Sequence, residues 1–170
     1  MRFPSRLLLT ALLLLGQPAL AERSTNVTGV TINWFGAYKT VQKEVKDSNI
    51  STGQRYIGSD TVPPNANNDQ ITLTPNTNFG FGFTLSGTPA NGEVVFKQIY
   101  KYPPPGMPRG SSGQFVLDDQ LPFTYRVGSG NVMGYKTGGD PSNWPTGTWT
   151  FQLWSGDKLM AEKNFTVSRP

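Results

Sequence analysis

Glycine and proline interrupt this chain so often that little room remains for long helices. The 170 residues include 19 Gly and 14 Pro, and both residue types are unfavourable inside a helix. Between these breaks lie short runs rich in Val, Ile, Thr and aromatic residues, a pattern typical of strands in sandwiches and barrels. The sequence therefore predicts an all-β protein. Its predicted strands are residues 27–38, 71–74, 79–85, 94–100, 114–117, 123–127, 132–136, 148–154 and 159–167.

The last two predicted strands form the clearest hairpin. Trp149, Phe151 and Leu153 alternate with polar residues, as in a strand with one apolar face. The turn that follows contains Gly156, which tolerates the positive φ of a tight hairpin. On the return strand Lys163 interrupts the apolar face, so we expect either a bulge near it or an edge position.

The segment from Phe79 to Phe83 is predicted to lie in the core. Its three Phe residues share one face of a strand, and each ring is large enough to fill the space between two sheets. Gly80 and Gly82 leave the other face bare, which usually marks the close approach of another backbone or ring. We expect six side chains of this strand and the hairpin to be buried, namely Phe79, Phe81, Phe83, Trp149, Phe151 and Leu153.

Three segments do not have the pattern of strands. Residues 60–69 are rich in turn formers and are predicted to be a surface loop. Residues 102–108 contain four prolines and are predicted to form polyproline II, either as a stiff crossover between two sheets or as a segment that docks on an aromatic groove of a partner. Residues 40–53 are the one place where we predict a helical turn, because Val41 and Val45 lie four residues apart.

Residues 1–21 have the three parts of a secretory signal peptide. Arg2 and Arg6 form the positive region, a Leu-rich run forms the apolar region, and the motif from Ala19 to Ala21 is a cleavage site. The apolar run is too short to span a bilayer, so we expect no transmembrane segment in the mature chain. The sequence therefore predicts a protein that is periplasmic or secreted after cleavage.

The mature chain is predicted to be a single domain over residues 22–170. Removal of 21 residues from the 170-residue chain leaves 149, the ordinary size of one domain. Loss of Arg2 and Arg6 leaves 13 basic against 11 acidic residues, a net charge of +2. The basic residues are scattered among acidic ones, which is typical of a solvated mixed surface. We therefore expect no nucleic-acid partner.

Cys and His are both absent from the chain. Their absence removes the usual thiol nucleophile, the usual proton shuttle and the commonest metal ligand. Asp118 and Asp119 are adjacent, and neighbours in a strand point to opposite faces, so they do not form a cooperating pair. We predict a turn over residues 118–120. The sequence favours a non-catalytic protein without a cofactor or metal.

Trp144 is the main candidate for a binding residue. It lies in a segment too rich in Gly and Pro to be a strand, beside Asn143 and close to Asp140. An exposed ring with neighbouring polar groups is suited to stacking on a protein or glycan partner. The alternative is a ring that folds back as a lid over the end of the sandwich. The other three Trp residues are predicted to lie in the core or on a sheet face.

The chain contains four short motifs, Asn78-Phe79-Gly80-Phe81-Gly82-Phe83, Tyr102-Pro103-Pro104-Pro105-Gly106, Gly147-Thr148-Trp149-Thr150 and Phe165-Thr166-Val167. They resemble motifs of a family of small exported bacterial proteins catalogued as a domain of unknown function. The resemblance covers roughly residues 30–167 and implies bacterial export and a β-sandwich, but it carries over no functional residue. The last two motifs are also similar to the end of many immunoglobulin-like exported domains. We therefore predict an immunoglobulin-like β-sandwich of about seven to nine strands.

These observations together predict an exported, non-catalytic binding or assembly module of the bacterial cell envelope. Its partner would be another envelope protein or a glycan. Two alternatives remain at this point, a hydrolase of envelope polymers and an inhibitor or accessory protein of another envelope enzyme. A cleft with two converging carboxylates would favour the hydrolase.

The signal peptide gives the first testable prediction. Export should remove residues 1–21 and leave a mature chain that begins at Glu22. N-terminal sequencing of the protein recovered from the periplasm or the medium checks this outcome. A protein that retains Met1 in the cytoplasmic fraction would contradict it.

Overall fold

Every regular element in the described part of the chain is a strand. The computed structural model describes residues 25–41, 44–47, 54–57, 60–109, 113–138, 140 and 142–170, so the predicted signal peptide lies outside it. Within these residues there is no helix long and apolar enough to cross a membrane. The strands are β1 (Asn26–Val41), β2 (Glu44–Asp47), β3 (Gln54–Ile57), β4 (Asp60–Val62), β5 (Gln70–Thr72), β6 (Asn78–Thr88), β7 (Glu93–Lys101), β8 (Met107–Pro108), β9 (Phe115–Val116), β10 (Asp118–Arg126), β11 (Gly128–Lys136), β12 (Gly147–Ser155) and β13 (Lys158–Ser168).

Two sheets form the sandwich. One has four strands in the order β11-β6-β1-β4, and the other has five in the order β10-β7-β12-β13-β5. Neighbouring strands are antiparallel except β13 and β5, which are parallel. Buried residues of both sheets join in one apolar cluster between them. The two sheets contain nine strands, which agrees with the predicted number, and β2–β3 and β8–β9 form separate two-stranded ribbons.

The core lies where the sequence predicted it. All six side chains expected to be buried are at most 1% exposed. The ring of Phe79 contacts Trp149, Phe151 and Phe165, with centroid distances of 5.4, 5.4 and 5.5 Å. These contacts join β6 of the first sheet to β12 and β13 of the second. The period-2 pattern of β6 and β12 thus identified the centre of the sandwich.

The two glycines of β6 allow close approach on the side away from the core. A Cβ on Gly82 would overlap the indole of Trp34, and a Cβ on Gly80 would overlap the backbone of Met133 and Gly134. One glycine is therefore approached by a ring and the other by a backbone, and the prediction is confirmed.

A second aromatic ring lies on the same outer face of the four-stranded sheet. The hydroxyl of Tyr38 lies where a Cβ on Gly134 would be. The Tyr38 and Trp34 rings meet edge to face, with a centroid distance of 5.4 Å and an interplanar angle of 63°. Burial raises the pKa of Tyr38 well above its ordinary value.

The C-terminal hairpin turns at Gly156, which has a φ of 57° as expected. The pairing register shifts between Leu153 and Trp154, where Met160 is left without a cross-strand partner. This bulge reverses the orientation of Leu159, which is 40% exposed although it has the same odd-numbered parity as the apolar residues Ala161, Phe165 and Val167.

Lys163 occupies an edge position, one of the two arrangements we expected. β5 pairs with β13 only from Thr166 to Ser168, so no described strand lies beside Lys163 on that side. Its ammonium nitrogen lies 3.7 Å from the centroid of the Phe35 ring and 3.6 Å from the Asp69 carboxylate. A cation can thus point towards the core side of the strand because a ring and a carboxylate receive it at the open edge.

The proline segment is not a polyproline II crossover. The N–H of Gly106 donates to the carbonyl oxygen of Pro103 at 2.9 Å, and the Pro104–Pro105 peptide bond is cis. The chain reverses here in a tight turn, because this hydrogen bond brings residues three apart together. β7 and β10 on either side are neighbours in the same sheet, so the segment closes an extended hairpin.

Three other local predictions were wrong. Residues 44–47 and 54–57 pair as strands, so no helical turn is present in the described part of residues 40–53. Residues 60–62 pair with β1, although the loop prediction is confirmed from residue 63 to residue 69. Asp118 and Asp119 begin β10 and are not in a turn, because pairing with β7 extends to this end of the strand. Their side chains do lie on opposite faces, one exposed and one buried.

Truncation of Phe81 tests this core. Phe81→Ala should lower the free energy of unfolding by about 3 to 5 kcal/mol, because it removes a fully buried ring and leaves a cavity. Chemical denaturation measures the change. Val62→Ala is the control, since Val62 is 57% exposed and should change stability by less than about 0.5 kcal/mol. A loss below about 1 kcal/mol for Phe81→Ala would contradict the register described above.

Candidate binding site

Trp144 is buried and closes one end of the sandwich. Its side chain is 7% exposed, so of the two arrangements considered for this ring the lid is the one observed. The ring stacks on Trp149 at a centroid distance of 6.1 Å and an angle of 17°, and it meets Tyr135 edge to face at 5.5 Å. Arg169 donates to the Trp144 carbonyl at 2.8 Å. Packing on two rings removes a large apolar surface from water, which favours this position over a solvent-exposed one.

The two polar residues of the predicted site lie at the surface. Asp140 and Asn143 are exposed. The Ser142 N–H donates to Asp140 Oδ1 at 2.9 Å, and this hydrogen bond lowers the pKa of Asp140. Asp140 therefore organises its own loop. A binding role for Trp144, Asn143 and Asp140 stays a prediction, and it no longer has an accessible ring to support it.

Buried polar groups beneath the lid connect the two sheets. The Tyr102 hydroxyl donates to Asp119 Oδ2 at 2.7 Å, and its oxygen lies 3.3 Å from the hydroxyl oxygen of Tyr135. The pKa of Tyr102 lies well above its ordinary value, mainly because the hydroxyl is buried. Tyr102 follows β7 and Asp119 belongs to β10 of the same sheet, whereas Tyr135 belongs to β11 of the other sheet, so the Tyr102–Tyr135 contact crosses the sandwich. Their partners are internal, and the cluster is closed to solvent by Trp144.

A second internal network has the same arrangement. Gln98 donates to the hydroxyl of Tyr125, and Tyr100 donates to Gln98 Oε1 at 3.0 Å. Tyr125 donates to the Val132 carbonyl at 3.1 Å, and the Gly134 carbonyl oxygen in the same strand, β11, lies 3.2 Å from the Tyr100 hydroxyl as a second acceptor for its one proton. These groups join β7 and β10 to β11 across the interior. The interior networks therefore cross-link the sheets and do not form an accessible site.

An open cavity of about 430 Å³ lies on the outer face of the five-stranded sheet. Strands β7 and β10 form its floor, and the turn between β12 and β13 forms one wall. Val95 is 62% exposed here because the strand alternates and its neighbour Phe96 points into the core. The cavity is lined by Val95, Phe96, Lys97, Gln120, Leu121, Pro122, Gly156 and Asp157.

A hydrogen-bonded group of side chains holds the surface beside this cavity. Lys97 lies directly opposite Trp154 in the pairing of β7 with β12, and its ammonium nitrogen is 5.5 Å from the centroid of the Trp154 ring. The Trp154 indole N–H donates to Gln152 Oε1 at 3.0 Å. Gln152 Nε2 donates to Glu162 Oε2 at 2.6 Å. We call these four residues the outer-face network.

The outer-face network keeps a half-buried ring in one orientation. Gln152 is only 5% exposed although it points away from the core, since its neighbours cover it. Its amide bonds both the indole and a carboxylate, so rotation of Trp154 would break a shielded hydrogen bond. The Trp154 ring is therefore held in place before any ligand arrives.

The cavity combines apolar and polar lining groups. Val95 and Pro122 supply apolar surface, while Lys97, Gln120 and Asp157 supply a cation, an amide and a carboxylate. Asp157 is the only carboxylate among its lining residues. No group of three or more metal-ligating side chains occurs among the residues that the structure describes. This chemistry is suited to holding a ligand by contact and hydrogen bonding.

Sequence reasoning did not single out this surface. It assigned Trp154 to the core or a sheet face and gave no role to Val95 or Lys97. Two signals were present. Trp154 has the polar parity of its strand, opposite to Trp149, Phe151 and Leu153, and Val95 and Lys97 have the parity opposite to Phe96.

The two packed sheets and their strand order define an immunoglobulin-like β-sandwich. A solved structure of an immunoglobulin-like protein from Pseudomonas aeruginosa is similar to this chain, with a TM-score of 0.55. The sequence identity is 21%, and the likeness covers 87% of this chain and 99% of that one. No family model matches the sequence, and no curated protein matches it. The likeness shows the fold.

Replacement of Trp144 tests its position as a lid. Trp144→Ala should lower the free energy of unfolding by about 3 kcal/mol, because a buried ring and its contacts are lost. Asn143→Ala, at the exposed neighbour, should change it by less than about 0.5 kcal/mol. Urea denaturation of the two variants compares them. Equal stabilities would show that the Trp144 ring is not packed as described.

Proposed function

We propose that this protein is an exported, non-catalytic binding module of the bacterial cell envelope and that the cavity on its five-stranded sheet holds the ligand. The signal-peptide pattern of residues 1–21 supports export to the periplasm or beyond. The immunoglobulin-like fold is compatible with this proposal but assigns no function, because the same sandwich carries many different functions. The argument for binding therefore comes from the cavity itself.

The observation that carries the proposal is the ordered Trp154 ring beside an apolar cavity. Exposed apolar surface such as Val95 is unfavourable in water, and burial by a ligand would regain about 25 cal/mol per Å². A side chain that is already held in place loses little conformational freedom on binding. Both properties favour association. Among the described residues, this surface combines them with a concave shape.

The lining groups support binding over catalysis. Hydrolysis of a glycosidic bond uses two carboxyl groups roughly 5 to 9.5 Å apart. The cavity offers one, Asp157, at its rim. The chain has no Cys or His to serve as a thiol nucleophile or an imidazole base. A surface with a cation, an amide and apolar side chains can recognise a ligand without changing it.

Two matched substitutions test the site. Val95→Asp adds a charge to the cavity floor, whereas Val62→Asp adds the same charge to β4 of the other sheet, where Val62 has a similar exposure. Envelope material from the producing bacterium, incubated with immobilised mature protein, should be retained by the wild type and by Val62→Asp. Val95→Asp should retain at least tenfold less, the scale expected when an apolar contact of an interface is lost.

The folded state of each variant is checked first by circular dichroism and by its unfolding midpoint. Equal retention of envelope material by Val95→Asp and wild type would refute the cavity as the binding site. Loss of retention by both variants would place the interaction elsewhere and would refute it as well.

A further inference from the structure

We infer that the ligand of this cavity is a glycan chain, bound along a strip of side chains that crosses the five-stranded sheet. The inference rests on the proposed function and names its ligand class. The strip consists of four residues that lie directly opposite one another on adjacent strands, namely Pro122, Lys97, Trp154 and Leu159.

The length of the strip favours an extended ligand. Its four strands are separated by three spacings of about 4.8 Å, which gives a length of roughly 14 Å. The cavity at one end has a volume of about 430 Å³, within the range of roughly 300 to 1,000 Å³ typical of small-ligand sites. A chain whose first unit fills the cavity can therefore continue across Trp154 towards Leu159, which is 40% exposed.

The chemistry of the strip matches the two faces of a sugar ring. A pyranose presents C–H groups on one face and hydroxyl groups at its edge. Pro122, Trp154 and Leu159 offer apolar and aromatic surface to the C–H face. Lys97 and Gln120 beside them offer hydrogen-bonding groups to hydroxyl groups. Apolar and polar contacts that alternate at the spacing of neighbouring strands suit a chain of repeated sugar units.

The charges argue against a strongly acidic ligand. The cavity has one cation, Lys97, and one anion, Asp157. The outer-face network adds a second carboxylate, Glu162, which accepts from Gln152. Lys158, beside the strip at the hairpin turn, is a second cation, so two lysines and two carboxylates leave no excess positive charge that would select a phosphate or polyanion. Neutral sugar units satisfy the donors and acceptors without needing such an excess.

The same features favour a glycan over a protein partner. Stable protein interfaces bury roughly 1,200 to 2,000 Å² in total and have a broad apolar centre. The exposed part of this strip is narrow and is bordered one row away by the polar side chains Gln120, Gln152 and Glu162. A thin chain can contact the strip along its whole length. A protein surface would have to cover the polar rows as well.

The test uses two purified glycans and one protein fraction. The glycan probes are peptidoglycan sacculi digested with protease and the polysaccharide released from lipopolysaccharide by removal of its lipid. The third probe is a protein extract of the envelope freed of both glycans. Binding of the mature protein is measured by co-sedimentation with sacculi and by Trp fluorescence with the soluble polysaccharide. We expect the protein to bind at least one of the two glycans. Any binding to the protein fraction should be the same for Val95→Asp and the wild type, because it should not involve the cavity.

Variants of the strip give the specific readout. Trp154→Ala should weaken glycan binding at least tenfold, while Trp154→Phe, which keeps an aromatic face, should weaken it less than threefold. Lys97→Ala serves as a second variant, with an expected loss of about fivefold, in case Trp154→Ala does not fold. Phe115→Ala is the matched control, because Phe115 is an exposed ring outside the strip and should leave binding unchanged.

The outcomes separate this inference from the proposed function. If the wild type retains envelope protein but neither glycan, and Val95→Asp loses this retention, the glycan inference is overturned and the cavity remains a binding site. Retention of no probe by the wild type, or equal retention by Val95→Asp, would overturn both. If Trp154→Ala and Lys97→Ala both bind glycan as tightly as the wild type, the strip is not the binding surface.

Discussion

The packing of the β6 phenylalanines against the rings of β12 and β13 is the interaction on which the sandwich depends. The chain has no Cys, so no disulfide can join the sheets. Each fully buried ring contributes about 1.5 to 3 kcal/mol by leaving water. Phe79 alone contacts rings on two strands of the opposite sheet. The hydroxyl groups of Tyr100, Tyr125 and Tyr102 then connect the same sheets by their contacts with β11, so the interior contains both apolar packing and polar cross-links.

Much of this fold could be predicted because its strands carry their own pattern. β6 and β12 alternate on a period of two, and each of the nine predicted strands overlaps a strand of the structure. The local predictions that were wrong share a cause, because each of these local structures depends on residues that are distant in the sequence. Asp118 is in a strand because β7 pairs with it, and the proline segment reverses because β7 and β10 are neighbours. For Trp144 the lid was one of two arrangements considered, and the choice between them depends on the surfaces that Tyr135 and Trp149 provide in the fold. A local pattern does not contain these partners.

The proposed site was hidden for a related reason. Its strip exists only once four strands are aligned, and the alignment at its end depends on the bulge at Met160. Without that bulge, Leu159 would have the parity of Ala161 and would point towards the core. The parity of Trp154 was visible in the sequence, but its meaning required knowledge that Lys97 and Pro122 lie beside it. Sequence reasoning could identify an outward aromatic residue, and only the fold could assemble a surface around it.

The glycines behind the core have a further consequence for how β6 can align with its neighbours. A Phe-Gly repeat has a period of two, so by hydrophobic pattern alone β6 could shift by two residues and still present Phe to the core. A shift that brings Thr84 opposite Trp34 would drive its Cβ into the indole that now lies over Gly82. The reverse shift would carry Asn78 to the position of Gly80, where the backbone of β11 leaves no space for a Cβ. The bare face of the strand thus selects a single alignment among those that the apolar face would accept.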